Sequence, residues 1–199
     1  RRRHNHSSTD GYRYIRAMAA SAWTLDPSHG ELLLTTGVTG PAAAMGHRLT
    51  IAMTAWQATV NWSGGEPSAV ELTLDVDSLE VLRGDGGVKG LTGVEKGLAR
   101  SNALKSLDAK RYPHIRFSAD EVTAVDGGYR LSGTLEIHGR SRPRSVDLRV
   151  EDLGETWRMA CDAVVSHRDF GVKPYSLMMG AMKVADEVAV SFHAEHAKD

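Results

Sequence analysis

The sequence predicts an all-β protein of about eight antiparallel strands and one α-helix. Segments in which apolar and polar residues alternate recur along most of the chain, and clusters of Gly, Pro, Asp and Ser separate them. One further segment, residues 90–107, repeats its apolar residues at helical spacing instead. Strands with one apolar and one polar face are typical of an antiparallel sheet that closes into a barrel or packs as a sandwich.

The basic segment at residues 1–21 has little to bury, and we expect it to be disordered. It lacks the apolar core of roughly 7–15 residues that a secretory signal requires. No run of about 18 apolar residues, the length that a transmembrane helix needs, occurs in the sequence. We therefore expect a cytoplasmic protein without a transmembrane segment, whose folded domain spans residues 22–196.

The charge of the chain is concentrated at its start. The formal net charge is −1, and because the first 22 residues contribute +4, the remainder carries −5. A nucleic-acid-binding domain needs a basic face to neutralise phosphates. We therefore expect no nucleic-acid partner.

The first half of the domain alternates in three stretches. Residues 23–36 contain an Asp-Pro turn, and residues 69–82 alternate again. Between them, residues 47–62 change the phase of their alternation at Thr54-Ala55. This shift predicts a bulge or bend, which a closing sheet needs.

The second half begins with the helix and continues with strands. Val94 and Leu98 begin an apolar helical stripe that predicts a helix over residues 92–107, although Gly93 and Gly97 weaken it. Five alternating segments follow the helix, at residues 114–125, 129–138, 145–152, 157–165 and 186–195.

No residue stands out as catalytic. His138 ends a predicted strand, no nucleophile or carboxylate pair accompanies it, and we favour a structural role. His193 and His196 would point to opposite faces of a strand, so a metal site is not expected. Cys161 shares the parity of apolar neighbours and is interpreted as a small buried residue.

Four motifs occur in an order that resembles a known family. They are "WTLDPSH" at 23–29, "YPHIRF" at 112–117, "GTLEIHGRSRP" at 133–143 and "HRDFG" at 167–171. Over about residues 23–195 the chain resembles the YceI-like family of lipid-binding proteins. The resemblance implies a lipocalin-like antiparallel barrel with an elongated apolar cavity. It also implies a long-chain amphiphile as ligand, typically a polyisoprenoid such as a polyprenyl diphosphate or a quinone.

Together these observations predict a non-enzymatic carrier without cofactor, metal or catalytic residues. Its ligand would be a long isoprenoid or acyl lipid, and the family resemblance allows a homodimer. A lipid-modifying enzyme is disfavoured because ionisable residues fall mostly on the outward faces. A filled barrel that acts as an interaction or stress-related module stays open as the alternative.

The candidate ligand-binding residues follow from strand parity, from the Asp-Phe-Gly motif and from the Met-rich segment. The candidates for the apolar lining are Leu72, Leu74, Val76, Ile115, Phe117, Leu131, Leu135, Ile137, Val146, Leu148, Trp157, Met159, Phe170, Met178, Met179, Val188, Val190 and Phe192. The candidates for holding a polar head group are Arg168, Lys173 and Tyr175.

Overall fold

A computed structural model describes residues 21–198 of the protein. Within these residues the chain forms twelve β-strands, one α-helix and four short 3-10 turns. The first six strands are β1 (Ala22–Leu25), β2 (Gly30–Thr39), β3 (Arg48–Met53), β4 (Trp56–Ser63), β5 (Glu66–Asp75) and β6 (Leu79–Asp85). The helix α1 (Gly93–Ser106) is followed by β7 (His114–Val125), β8 (Gly128–Ile137), β9 (Arg140–Asp152), β10 (Thr156–Ser166), β11 (Ser176–Leu177) and β12 (Met182–Ala197).

All strand pairs are antiparallel and belong to one sheet, which confirms the predicted fold class. The strand order is β1-β4-β5-β7-β8-β9-β10-β12-β2-β3-β6, with β11 paired to β12. Strands β7 to β10 form a meander of neighbours in sequence. The long strand β12 pairs with β2, which lies far away in sequence, and this pairing curls the sheet into a barrel.

The predicted bend at Thr54-Ala55 is confirmed. Strand β3 ends at Met53, and β4 begins at Trp56. The Thr54 hydroxyl donates to the carbonyl of Ser78 at 2.9 Å, which fixes the corner against the next part of the chain. The change of alternation phase in the sequence therefore marks the place where one strand turns into another.

The number of strands exceeds the predicted eight because three predicted segments, the one with the bend at Thr54-Ala55 and two others, each form two strands, and because the two-residue strand β11 was not predicted. The stretch at 69–82 is divided by a 3-10 turn at Val76–Ser78 into β5 and β6. The stretch at 23–36 is divided by the turn at 26–29, where the amide of His29 donates to the carbonyl of Asp26. The expectation of disorder for residues 1–21 concerns residues outside the described part, except for Ser21.

Helix α1 agrees with its predicted range of 92–107 to within one residue at each end. Its first turn has a capping box, in which the Thr92 hydroxyl accepts from the Glu95 amide and the Glu95 carboxylate accepts from the Thr92 amide. The Arg100 guanidinium donates to the carbonyl of Leu79 at 2.8 Å and to that of Asp77. The helix is thereby held against β6, one of the two edge strands of the sheet.

Candidate functional site: an apolar cavity with one mouth

The strand register defines two ends of the barrel. We call one end the mouth end; it holds the loops at 40–47, 86–92, 107–113, 138–139, 167–175 and 178–181. The other, the far end, holds the loops at 26–29, 64–65, 126–127 and 153–155. Both loops that flank α1 lie at the mouth end, so the helix begins and ends there.

The barrel encloses a cavity of about 620 Å³. Alternate residues of each strand contribute to its wall, as the period of two requires. On β10 the alternating wall residues are Trp157, Met159, Cys161, Ala163 and Val165, and Ser166 joins the wall where the strand ends. Most of the other side chains of the wall are also apolar, so the cavity offers a ligand little hydrogen bonding.

Fifteen of the eighteen residues predicted as apolar lining lie on the wall of this cavity. They come from β5, β7, β8, β9, β10 and β12 and from the 3-10 turn that contains Phe170. Strand parity predicts that these residues face the cavity. That they contact a ligand stays a prediction. The fifteen are Leu72, Leu74, Ile115, Phe117, Leu131, Leu135, Ile137, Val146, Leu148, Trp157, Met159, Phe170, Val188, Val190 and Phe192.

The other three predicted lining residues are not on the wall. Val76 is buried, but it lies in the 3-10 turn after β5, where the alternation stops. Met178 and Met179 lie in the turn between β11 and β12, and both are exposed. Their positive φ angles of 52° and 56° belong to a tight turn rather than a strand, so strand parity does not apply to them.

Of the three predicted head-group residues, the cavity wall includes only Tyr175. Arg168 borders a separate small depression with Asp186 and Lys183, and Lys173 is exposed and lines neither space. The 3-10 turn explains this placement, because it sends Phe170 and not Arg168 toward the interior. The two cations are therefore not positioned inside the cavity.

Several polar wall residues were not predicted from the sequence. Thr36 and Arg144 share the parity of the apolar wall residues on β2 and β9. The others belong to the helix, to loops or to strand ends, whose orientation depends on tertiary packing and leaves no alternation signal. The polar wall residues that were not predicted are Thr36, His47, Glu95, Asn102, Ser106, Arg144, Ser166, His167 and Lys183.

Most polar groups at the mouth already have protein partners. The Nε2–H of His47 donates to the carbonyl of Lys89 at 2.6 Å, and the Nδ1–H of His167 donates to the carbonyl of Asp186 at 2.7 Å. Hydrogen bonds from Thr92 hold the pKa of the Glu95 carboxyl below its usual value. Lys183 forms no salt bridge with another described residue, so its ammonium group is available to an anion.

The cavity opens to solvent at the mouth end. Within residues 21–198, three wall residues are exposed, Leu98, Leu177 and Lys183, and all three lie at this end. At the far end, the wall includes aromatic residues that are partly buried, among them Trp62 and Tyr129. The Trp62 indole N–H is buried and has no hydrogen-bond partner in the described part of the protein.

His138 lies outside the cavity. It follows the last residue of β8, Ile137, and adopts a left-handed conformation with φ of 53°. Its ring packs against Tyr112 at a centroid distance of 4.8 Å. His138 therefore belongs to the β8–β9 turn, as expected for the end of a strand.

Cys161 is a wall residue on β10. Burial is the main reason why the pKa of its thiol lies above the usual value of 9.0. A thiol with a raised pKa carries little thiolate at neutral pH, so Cys161 behaves as a small apolar residue.

Two further observations concern other kinds of site. In residues 21–198, no three or more His, Cys, Asp or Glu residues come together in a way that could hold a metal ion. None of the helices in this range is both long and apolar enough to cross a membrane.

A curled antiparallel sheet around an apolar cavity defines this protein as a β-barrel with an internal apolar site. The chain belongs to the YceI-like domain family, whose model matches residues 23–196. This match confirms the family resemblance inferred from the four sequence motifs.

Solved structures share the fold at low sequence identity. BcnA from Burkholderia cenocepacia is 18% identical with a TM-score of 0.63, and the match covers 84% of this chain and 96% of that chain. A YceI protein from Campylobacter jejuni is 13% identical with a TM-score of 0.57, covering 75% of this chain and 84% of that chain. A mutant of the latter was crystallised with a monobromobimane guest, at the same identity, TM-score and coverage. No curated protein sequence matches this chain significantly.

Proposed function

We propose that the protein is a non-enzymatic carrier that holds a long-chain amphiphile, of isoprenoid or fatty-acyl type, in its barrel. The observation that carries the proposal is the cavity of about 620 Å³ with an almost entirely apolar wall. Burial of each methylene group contributes about 0.8 kcal/mol. Ten buried methylenes would therefore contribute about 8 kcal/mol, before the cost of association is subtracted.

The polar head of the ligand would stay at the mouth. Tyr175 and Lys183 are wall residues at this end, and Lys183 provides a cation for a phosphate or carboxylate. Arg168 and Lys173 lie outside the wall, and their predicted part in head-group binding would require a head group that extends beyond the mouth. A cytoplasmic location and a homodimer stay predictions alongside this proposal.

The first experiment is native mass spectrometry of the freshly purified protein, with solvent extraction and identification of the lipids. We expect a bound mass of isoprenoid or acyl type. A variant, Ala163→Trp, places a large ring on the cavity wall, and its neighbour on the same strand provides the matched control, Val164→Trp, on the outer face. We expect lipid to be lost from the first variant and kept in the second.

The outcomes separate the proposal from its alternative. If neither the wild type nor the control carries lipid, and added long-chain lipids do not bind, the carrier function is refuted. If Ala163→Trp unfolds, which circular dichroism detects, the smaller substitution Cys161→Phe on the same wall replaces it. Retention of lipid by both folded variants would place the lipid outside the cavity and contradict the proposal.

A further inference from the structure

Exposed apolar side chains are concentrated around the mouth of the cavity. Ten large apolar side chains are exposed within residues 21–198, and seven of them lie in segments at the mouth end. We call these seven the apolar rim: Met45, Val88, Val94, Leu98, Leu177, Met178 and Met179. On the surface of a soluble protein such residues normally occur singly. A group of seven at one end of the barrel therefore indicates a contact surface.

The segments that carry the rim contact one another. The hydrogen bond from His47 to the carbonyl of Lys89 joins the loops at 40–47 and 86–92. The Ala42 amide donates to the carbonyl of Ala181 at 2.9 Å and joins the first of these loops to the turn at 178–181. Leu98 belongs both to the rim and to the cavity wall. The rim is therefore continuous with the interior.

The turn at 178–181 holds two methionines in an unusual conformation. Met178 and Met179 both have positive φ angles, which are unfavourable for a residue with a Cβ. The pairing of Leu177 with Met182 and the hydrogen bond from the Ala181 amide to the Met178 carbonyl close this turn. As a result, the Met179 side chain is fully exposed, and Met178 is 56% exposed beside it. Methionine is flexible and adapts to irregular apolar surroundings.

The loops at the two ends of the barrel differ in charge. Those at the mouth end contain five basic residues, Lys89, Lys110, Arg111, Arg168 and Lys173, and two acidic ones, Asp108 and Asp169. Those at the far end contain three acidic residues, Asp26, Asp126 and Glu155, and no lysine or arginine. An anionic surface would thus attract the mouth end and repel the far end.

We propose that the apolar rim docks onto the surface of an anionic phospholipid bilayer, so that the cavity loads and unloads its ligand directly at the membrane. Methionine and valine side chains of the rim enter the boundary between head groups and acyl chains, while the basic loops contact the head groups. Mouth-to-mouth pairing of two copies would bring like charges together, which favours the bilayer as the occupant. This inference rests on the proposed function, because only an apolar ligand needs to be loaded and unloaded directly at the membrane.

Co-sedimentation with vesicles tests the docking of the full-length chain. The probes are phosphatidylcholine vesicles with and without phosphatidylglycerol. The test variant combines Met178→Asn with Met179→Asn, since asparagine tolerates positive φ and preserves the turn. The control variant combines Leu153→Asn with Val164→Asn, which removes two exposed apolar side chains elsewhere.

We expect binding to the vesicles that contain phosphatidylglycerol and weaker binding without it. The test variant should lose affinity about tenfold or more, and the control variant should bind like the wild type. The docking proposal is refuted if the wild type does not bind, if the test variant binds like the wild type, or if the control variant is equally impaired. A concentration-dependent dimer that the test variant abolishes, without vesicle binding, would assign the rim to contact between copies and also refute it.

The lipid content of the same samples separates this inference from the carrier function. If lipid copurifies with the protein but the protein does not bind vesicles, the carrier function stands and the docking proposal is refuted. If the protein binds vesicles but contains no copurified lipid and binds no added long-chain lipid, the carrier function is refuted. The blocked variant, Ala163→Trp, should still bind vesicles, because its substitution lies inside the barrel.

Discussion

Gly139 shows how one residue connects the loop before β7 to the turn after β8. Its φ of 70° is unfavourable for any residue with a Cβ, and a Cβ at this position would lie 2.5 Å from the Tyr112 ring. The ring thus packs directly on the backbone of the turn, beside His138. The sequence motifs at 112–117 and 133–143 are therefore in contact.

Asp186 links β12 to the 3-10 turn that carries Phe170. Its carboxylate accepts from the Ser166 hydroxyl and from the backbone amide of Arg168. These hydrogen bonds, that from Ser166 above all, hold the pKa of Asp186 below its usual value of 3.8. The stabilisation they provide is therefore complete above pH 3.8 and is lost as the pH falls through the lower folded-state pKa.

We predict that Asp186→Asn lowers the melting temperature by a few degrees at pH 7. The difference from the wild type should stay constant down to about pH 5, shrink below that, and disappear only at pH values below the lower folded-state pKa. Thermal melts across this pH range measure it, with Asp169→Asn in the same segment as the control. A difference that grows as the pH falls would show that another group is responsible.

Cys161 provides a test of the cavity wall. We predict that a small uncharged thiol reagent reacts with it at least about tenfold more slowly than with the unfolded chain, because burial raises the thiol pKa and limits access. Added long-chain ligand should slow the reaction further. The control places the thiol one residue along β10, on the outer face, in a chain with Cys161→Ser and Asp162→Cys. Equal rates for the two positions would contradict the placement of Cys161 on the wall.

At the scale of the elements, the strands of the meander were the most predictable part of the fold. In β8 to β10 the alternation runs through most of each strand, and in β7 it holds up to a register shift between Ala119 and Glu121. Parity therefore assigns Phe117, Leu135 and Leu148 to the cavity wall. Val76, Met178 and Met179 are not on the wall, because they lie in turns, where strand parity does not apply. Their contact with a ligand stays a prediction.

The predicted helix α1 was also found, but its contribution to the site was not anticipated. Leu98, Ala99, Asn102 and Ala103 of this helix line the cavity. Which face of a helix lies over a barrel depends on contacts with distant residues, such as those of Arg100 with Leu79 and Asp77. Local periodicity contains no such information.

The capping box of α1 leads to a prediction about stability. Thr92→Ala removes the hydroxyl that accepts from the Glu95 amide, and we expect it to lower the free energy of unfolding by about 1 kcal/mol. Gly97→Ala should have the opposite effect, by about 0.5–1 kcal/mol, because a Cβ there meets no atom within 4 Å and alanine favours the helix. Chemical denaturation measures both changes. A loss of stability in Gly97→Ala would show that the helix needs flexibility at this point.

For the whole molecule, the cavity makes stability depend on occupancy. We predict that removal of bound lipid lowers the melting temperature, and that a long-chain ligand at about 100 times its dissociation constant restores about 2.7 kcal/mol. For a domain of this size, such a gain corresponds to a rise of about 5–10 °C. Differential scanning calorimetry of the delipidated protein checks this expectation. An equal rise in the blocked variant, Ala163→Trp, would contradict binding inside the barrel.

The pairing of β2 with β12 also determines when the barrel can close during synthesis on the ribosome. Thr39 and Lys183 pair across this seam although they are 144 residues apart. At a synthesis rate of about 5–20 residues per second, β12 is made roughly 7–30 seconds after β2. During this interval the edges of β2 and β10 and the apolar inner face are open to other chains. The nascent chain is therefore the form most prone to aggregation, and a β12 donated by a second copy would give a domain-swapped pair.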